Sequence, residues 1–206
     1  MPFSSEPSAD AARDRSERFD PVAPVIPRLA FIAALGAIAC TVCDHLHVLH
    51  DVLSYAHPAF WDQAWWVPPL FFGASIVAVL AVAPLRALGG LSEPAPTGRQ
   101  LAGDGIGFVA AYAFTAFGHR QPTVVLAVLV AFWAVRLLHG RAAWVALYSL
   151  ALALGGTLFE AALSSTGAFH YHHADLLGVP RWLPGIYLHA ALLAAPAERI
   201  VRSRAR

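Results

Sequence analysis

Lysine is absent from this chain; all fourteen basic residues are arginine. Charge of either sign is scarce, at 13% of 206 residues, while 58% are hydrophobic. A soluble globule of this length has too much surface to leave so little of it charged, so that class is excluded. The missing lysine and the alanine load suggest a GC-rich, bacterial genome, which is a codon argument rather than a physical one. Cysteine is also nearly absent. Cys40 and Cys43 have CxxC spacing, but their apolar stretch offers no basic neighbour to favour a thiolate, so they read as packing residues. A net charge of +1 gives no basic field for a nucleic acid, and none is expected as a partner.

Long apolar runs are what the chain does have. A span needs roughly 20 apolar residues to cross the hydrocarbon core. Six are expected: Leu29–His50, Ala64–Leu85, Leu101–Gly118, Pro122–Leu138, Ala142–Leu163 and Trp182–Ile200. The fold class is therefore all-α: a polytopic membrane protein built as a six-transmembrane-helix bundle. Residues 1–27 are polar, lack a cleavable-signal pattern and read as a disordered cytoplasmic tail. Residues 28–201 form the membrane domain, and residues 202–206 a basic cytoplasmic tail.

Arginine sets the expected orientation. Arg13, Arg15, Arg18 and Arg28, then Arg86 and Arg99, then Arg136 and Arg141, then Arg199, Arg202, Arg204 and Arg206 all fall on one side. Only Arg120 and Arg181 fall on the other. The positive-inside rule then makes both termini cytoplasmic, in a bacterial inner membrane or, for a eukaryotic owner, the endoplasmic reticulum. The outer loops carry most of the histidines: His45, His47, His50 and His57 in one, His170, His172 and His173 in the other. Spans 1–2 and 5–6 each read as helix, His-rich loop, Trp-x-Pro, helix, which suits an internal parallel repeat.

Two passages carry a family resemblance. Trp65-Trp66-Val67-Pro68-Pro69 and Arg181-Trp182-Leu183-Pro184 each open an apolar span, tryptophan at the membrane boundary and proline in the first helical turn. Gln63–Pro69 with Arg86-Ala87-Leu88-Gly89 resembles the second segment of the Insig (insulin-induced gene) family. Gly167–Tyr171, Asp175 and Val179–Ile186 resemble that family's loop 5–6 and sixth segment. The resemblance implies six helices, cytoplasmic termini and non-catalytic lipid sensing, without a cofactor. Loop 3–4, Gly118-His119-Arg120-Gln121-Pro122, departs from the animal pattern by being shorter and lacking its acidic residue. That argues against a Scap-type partner. A diacylglycerol-like or other neutral lipid, or a sterol-like molecule, is the expected ligand.

A lipid cavity wants apolar and aromatic walls with a few polar groups. Phe72, Ser75, Tyr112, Thr115, Trp133, Tyr148 and Thr157 supply that mixture, with Glu160 as the polar floor of a cavity opening to the outer half of the bilayer. Asp104 reads as a cap or an interfacial partner of Arg99. Gly73, Gly103, Gly107, Gly155 and Gly156 allow close helix approach, within the bundle or between copies in a homo-oligomer. The competing reading takes the outer histidines as ligands of a metal-dependent lipid hydrolase. Their spacing matches no established metal motif, and His45 and His47 point to different helix faces. Neither a metal nor a catalytic residue is expected.

Overall fold

The computed structural model describes residues 25–88 and 96–203. Most of the expected N-terminal tail, with Arg13, Arg15 and Arg18, and residues 204–206, with Arg204 and Arg206, lie outside the described residues. Among the described residues, six helices follow one another: α1 (Val25–Leu49), α2 (Val67–Leu88), α3 (Gly98–Gly118), α4 (Pro122–Leu138), α5 (Ala143–Ser165) and α6 (Leu183–Arg202). Helix α1 begins before the expected span, so residues 25–27 of the expected tail are helical. Pro68 and Pro69 sit in the first turn of α2, Pro122 opens α4, and Pro184 lies in the first turn of α6. A first-turn proline costs nothing, because its missing N–H would have no helical partner.

Helices α1, α2, α3 and α5 are long and apolar enough to cross a membrane. Helix α4 has 17 residues, about 25 Å at 1.5 Å per residue, somewhat short of the hydrocarbon core. Helix α6 has 20 residues and is less apolar for a different reason. It packs against every other described helix, so alanines line much of its surface and few large side chains face outward. On the outer helices, Phe31, Val77, Ile106 and Leu138 are exposed, as a lipid-facing surface requires.

Two short strands were not expected. β1 (Leu53–Tyr55) and β2 (Phe169–Tyr171) pair antiparallel across the two His-rich loops, with Ser54 opposite His170. The strands alternate as a half-buried ribbon should: Leu53, Phe169 and Tyr171 point into the bundle, and His170 points out.

The ribbon reveals how the chain is built. Residues α1-β1-α2 repeat as α5-β2-α6 at a constant offset, the 116 residues that separate Ser54 from His170. Leu53 pairs with Tyr171 and Tyr55 with Phe169, so the ribbon maps onto itself when the halves are exchanged. The bridge Phe60–Gln63 reappears as Leu176–Val179. The backbone takes positive φ at Asp51, Trp61 and Asp62, and again at the equivalent Gly167, Leu177 and Gly178. Ala56 N–H donates to Ala168 O, and His172 N–H to Val52 O, the same bond seen from each half. Thr41/Thr157, Tyr55/Tyr171, Trp66/Trp182, Pro68/Pro184 and Arg86/Arg202 are identical pairs at this offset. The halves are thus related by a pseudo-two-fold axis through Ser54 and His170, and α3 with α4 are inserted between them.

Candidate functional site

Beneath the ribbon, each half places one acidic residue in a helix and one tyrosine in the strand that follows. Tyr55 donates to Asp44 Oδ2 at 2.6 Å, and Tyr171 donates to Glu160 Oε2 at 2.5 Å, both across 11 residues. A buried carboxylate needs such donors, since desolvating it unpaired is expensive. Burial, then the neighbouring Asp44 charge and hydrogen bond, push the Tyr55 phenol well above its ordinary value. Burial and Glu160 do the same to Tyr171. Both phenols therefore stay protonated and keep donating.

The halves then diverge. Tyr187 of α6 donates to Glu160 Oε1 at 2.5 Å, so both Glu160 oxygens are taken. Gly156 makes room for this, because a Cβ there would land on the Tyr187 ring. The position equivalent to Tyr187 is Phe71, which has no hydroxyl. Asp44 instead receives Gln63 Nε2 on Oδ2 at 2.6 Å, while the same amide donates to Thr41 O at 3.0 Å. Asp44 Oδ1 is left without a partner among the described residues.

Asp44, Tyr55, Glu160, Tyr171 and Tyr187 surround a cavity of about 60 Å³ together with Tyr112 of α3, Trp66 before α2, and an apolar wall of Leu70, Phe71, Ala74, Phe159 and Leu163. The Tyr112 hydroxyl also has no partner among the described residues, although the residue is 7% exposed. Ala74 and Phe159 are exposed on the bundle's outer surface, so the cavity opens sideways between α2 and α5.

The pseudo-symmetry explains why it opens there. The equivalent groove lies between α6 and α1, where Ile186 and Cys43 replace Leu70 and Phe159. Helix α3 fills it: Cys43 and Ile186 share one buried cluster with Phe108, Ala111 and Tyr112. His47, the counterpart of Leu163, pairs with Thr115 Oγ1 at 2.8 Å and lies against the Tyr112 ring at 4.7 Å. Trp182 is fully buried there, whereas its counterpart Trp66 is only half-buried at the cavity. One groove is sealed by protein and the other is open at the bundle's outer surface.

Of the eight residues expected to contact ligand, Tyr112 and Glu160 line the cavity. The other six lie off it. Thr115 is engaged with His47 and Tyr112 O. Tyr148 donates to Ala78 O at 2.6 Å, tying α5 to α2. Ser75 sits against Gly36, where an added Cβ would meet its hydroxyl. Trp133 packs on the cluster around Trp144 and Tyr148. Thr157 is buried one turn below Glu160, and Phe72 is half-buried on α2. Asp44, Tyr55, Gln63, Tyr171 and Tyr187 were not among the expected contacts. Their one sequence signal was the acid-to-tyrosine interval shared by the two halves.

Asp104 does not pair with Arg99. Its Oδ1 accepts from Arg136 at 2.9 Å and Arg141 at 2.5 Å, and Arg136 also reaches His189 Nδ1 at 2.7 Å. This cluster holds α3, α4 and α6 together at the end away from the ribbon. Gly107 permits it, because a Cβ there would meet the Arg136 guanidinium at 2.7 Å. As expected, His45 and His47 face apart: His45 lies against Trp61, His47 against α3. Among the described residues, no group of three or more His, Cys, Asp or Glu side chains is gathered to hold a metal ion.

No protein-family model matches the chain, and no curated protein matches it in sequence. Two solved structures do match. A mycobacterial Insig homologue, MvINS from Mycobacterium vanbaalenii, superposes with a TM-score of 0.76 at 28% identity, covering 88% of this chain and 97% of its own. A cross-linked trimer of a cysteine variant of MvINS superposes with a TM-score of 0.75 over the same shares.

Proposed function

For a chain that is Insig-like in sequence and in fold, we propose non-catalytic binding of a neutral lipid, diacylglycerol-like or sterol-like, at the cavity between α2 and α5. All six helices cross the bilayer in this reading, with both termini cytoplasmic. The carrying observation is the pair of unmatched polar atoms, Asp44 Oδ1 and the Tyr112 hydroxyl, in one cavity. A lipid hydroxyl answers both, donating to the carboxylate and accepting from the phenol. Glu160, whose oxygens are already filled by Tyr171 and Tyr187, fixes the wall rather than holding the ligand.

Size decides how the ligand sits. About 60 Å³ is the room of only a few waters. Whole ligands occupy several times that volume. Only the hydroxyl-bearing head therefore enters, and the hydrocarbon lies outside along Phe71, Ala74, Phe159 and Leu163, against the bilayer. Occupancy acts as a signal by favouring one state of the protein's association with a membrane partner or with itself. The MvINS trimer supports self-association as the simpler case.

Lipid extracted from the purified protein and identified by mass spectrometry tests this. Diacylglycerol or another lipid with a free hydroxyl should be retained, triacylglycerol should not, and Tyr112→Phe should lower the retained amount. Repeated recovery of stable, lipid-free protein, or unchanged retention in the variant, overturns it. A reporter fused to the C-terminus that is active outside the cytoplasm overturns the orientation.

A further inference from the structure

The outward face of the ribbon carries a cluster that the cavity does not use. Ser54 Oγ lies 3.0 Å from His170 Nε2 and 2.8 Å from His172 Nε2. The two imidazoles stand side by side, with centroids 5.3 Å apart and planes inclined by 39°. Both histidines are exposed, so the cluster is open to water. One hydroxyl has one proton, so it can donate to only one of these nitrogens; the second contact requires the other ring to donate instead. Both Nε2 atoms thus converge on one hydroxyl, which places three ligand-type atoms within hydrogen-bond distance of their shared centre, Ser54 Oγ.

We propose that His170, His172 and Ser54 form a binding site for a late first-row divalent metal ion, copper(II) being the strongest binder. Imidazole suits this class of metal, and copper(II) stands at the top of its affinity order. The distances fit. With metal–nitrogen and metal–oxygen bonds of about 2.0–2.2 Å, adjacent ligands at a right angle are separated by about 2.9 Å. That is the separation of Ser54 Oγ from each Nε2. Adding about 1.1 Å from nitrogen to ring centre puts two adjacent imidazoles on one metal at roughly 4.5–5.3 Å between centroids. The observed rings stand at the upper end of that range. Water completes the coordination on the open side.

The ligands are split between the halves. Ser54 belongs to the first repeat and both histidines to the second, at the pair through which the pseudo-two-fold axis runs. A bound ion therefore clips the two halves together on one face of the ribbon, while Tyr55 and Tyr171 hold the carboxylates beneath it. The counterparts of His170 and His172 are Ser54 and Ala56, so the duplication supplies one such site, not two.

The experiment titrates copper(II) into the full-length, tag-free protein in detergent and records electron paramagnetic resonance together with thermal unfolding. One equivalent should bind with hyperfine splitting from two nitrogens and raise the unfolding temperature. His170→Ala and His172→Ala should each weaken binding at least about tenfold. Ser54→Ala should keep the two-nitrogen spectrum but lose most of the thermal shift, because the link to the first half is gone. These side chains are outside the core, so the variants should fold, as their metal-free unfolding temperatures will show. Copper bound with unchanged stoichiometry and spectrum in the His170→Ala/His172→Ala double variant overturns the site. So does a Ser54→Ala protein with the full thermal shift, or a parent protein that takes up no equivalent.

Discussion

Ala74 and Ala190 are the same residue at equivalent places in the two halves, one in an open groove and one in a filled groove, so a matched substitution separates the grooves. Ala74 lines the cavity and is exposed between α2 and α5. Ala190 is half-buried and packs against the cluster that includes Phe108, Ala111 and Tyr112 of α3. Ala190→Phe must push α3 aside. Overpacking of this kind costs about 1–3 kcal/mol. For a chain of this size, each kcal/mol lowers Tm by about 2–4 °C, giving a fall of about 2–12 °C. Ala74→Phe meets no packed helix, so its stability should stay within about 0.5 kcal/mol of the parent. Its ring occupies the mouth of the cavity, and lipid retention should fall more than about tenfold, equivalent to ~1.4 kcal/mol. Thermal unfolding in detergent and lipid extraction on the same preparations measure both quantities. Equal destabilisation by the two substitutions refutes the difference between grooves; full lipid retention in Ala74→Phe refutes the mouth.

Tyr171→Phe leaves Glu160 Oε2 unpaired in the bundle and should cost about 1–2 kcal/mol, near the upper range for hydrogen bonds between membrane helices. Tyr55→Phe should cost less, because Gln63 still donates to Asp44 Oδ2; a larger fall in Tm than in Tyr171→Phe argues against that account. Gly107→Ala drives a methyl into the Arg136 guanidinium and should cost about 1–3 kcal/mol, seen as a lower Tm, while lipid retention in surviving folded protein stays at the parent level. Lost retention there ties the far cluster to the cavity, which the geometry does not.

The helices were legible because apolar length is a direct physical demand of the bilayer, and five of the six expected spans begin and end within a few residues of the observed helices; α1 starts somewhat earlier. The prolines and tryptophans marked two helix starts for the same reason. The ligand contacts were less legible. Tyr148 and Thr115 satisfy the composition of a lipid site, yet their hydroxyls are spent on Ala78 O and on His47. Composition says which groups seek a partner, and only the fold says which have found one. The ribbon escaped because three-residue strands carry no periodicity to read. It nevertheless delivers Tyr55 and Tyr171 to the acids, and the equal spacing from Asp44 to Tyr55 and from Glu160 to Tyr171 was visible as a number without an evident meaning.

The repeat turns one non-identity into a switchable feature. Glu160 is capped by two phenols, from Tyr171 and Tyr187, and has no free oxygen. Asp44 is capped by one phenol, Tyr55, because the counterpart of Tyr187 is Phe71, which lies in the cavity wall beside it. The single missing hydroxyl is what leaves Asp44 Oδ1 open to a ligand. Phe71→Tyr should restore it. The new phenol points toward Asp44 as Tyr187 points toward Glu160, adding a hydrogen bond of about 0.5–1.5 kcal/mol and a Tm rise of about 1–6 °C. The same phenol competes with the lipid hydroxyl for the carboxylate, so retained lipid should drop at least about tenfold. Greater stability with lost lipid is the signature, and Phe71→Leu, which adds no hydroxyl, should not produce it. A Phe71→Tyr protein that keeps its lipid and its parental Tm shows that Asp44 Oδ1 is not where the ligand binds.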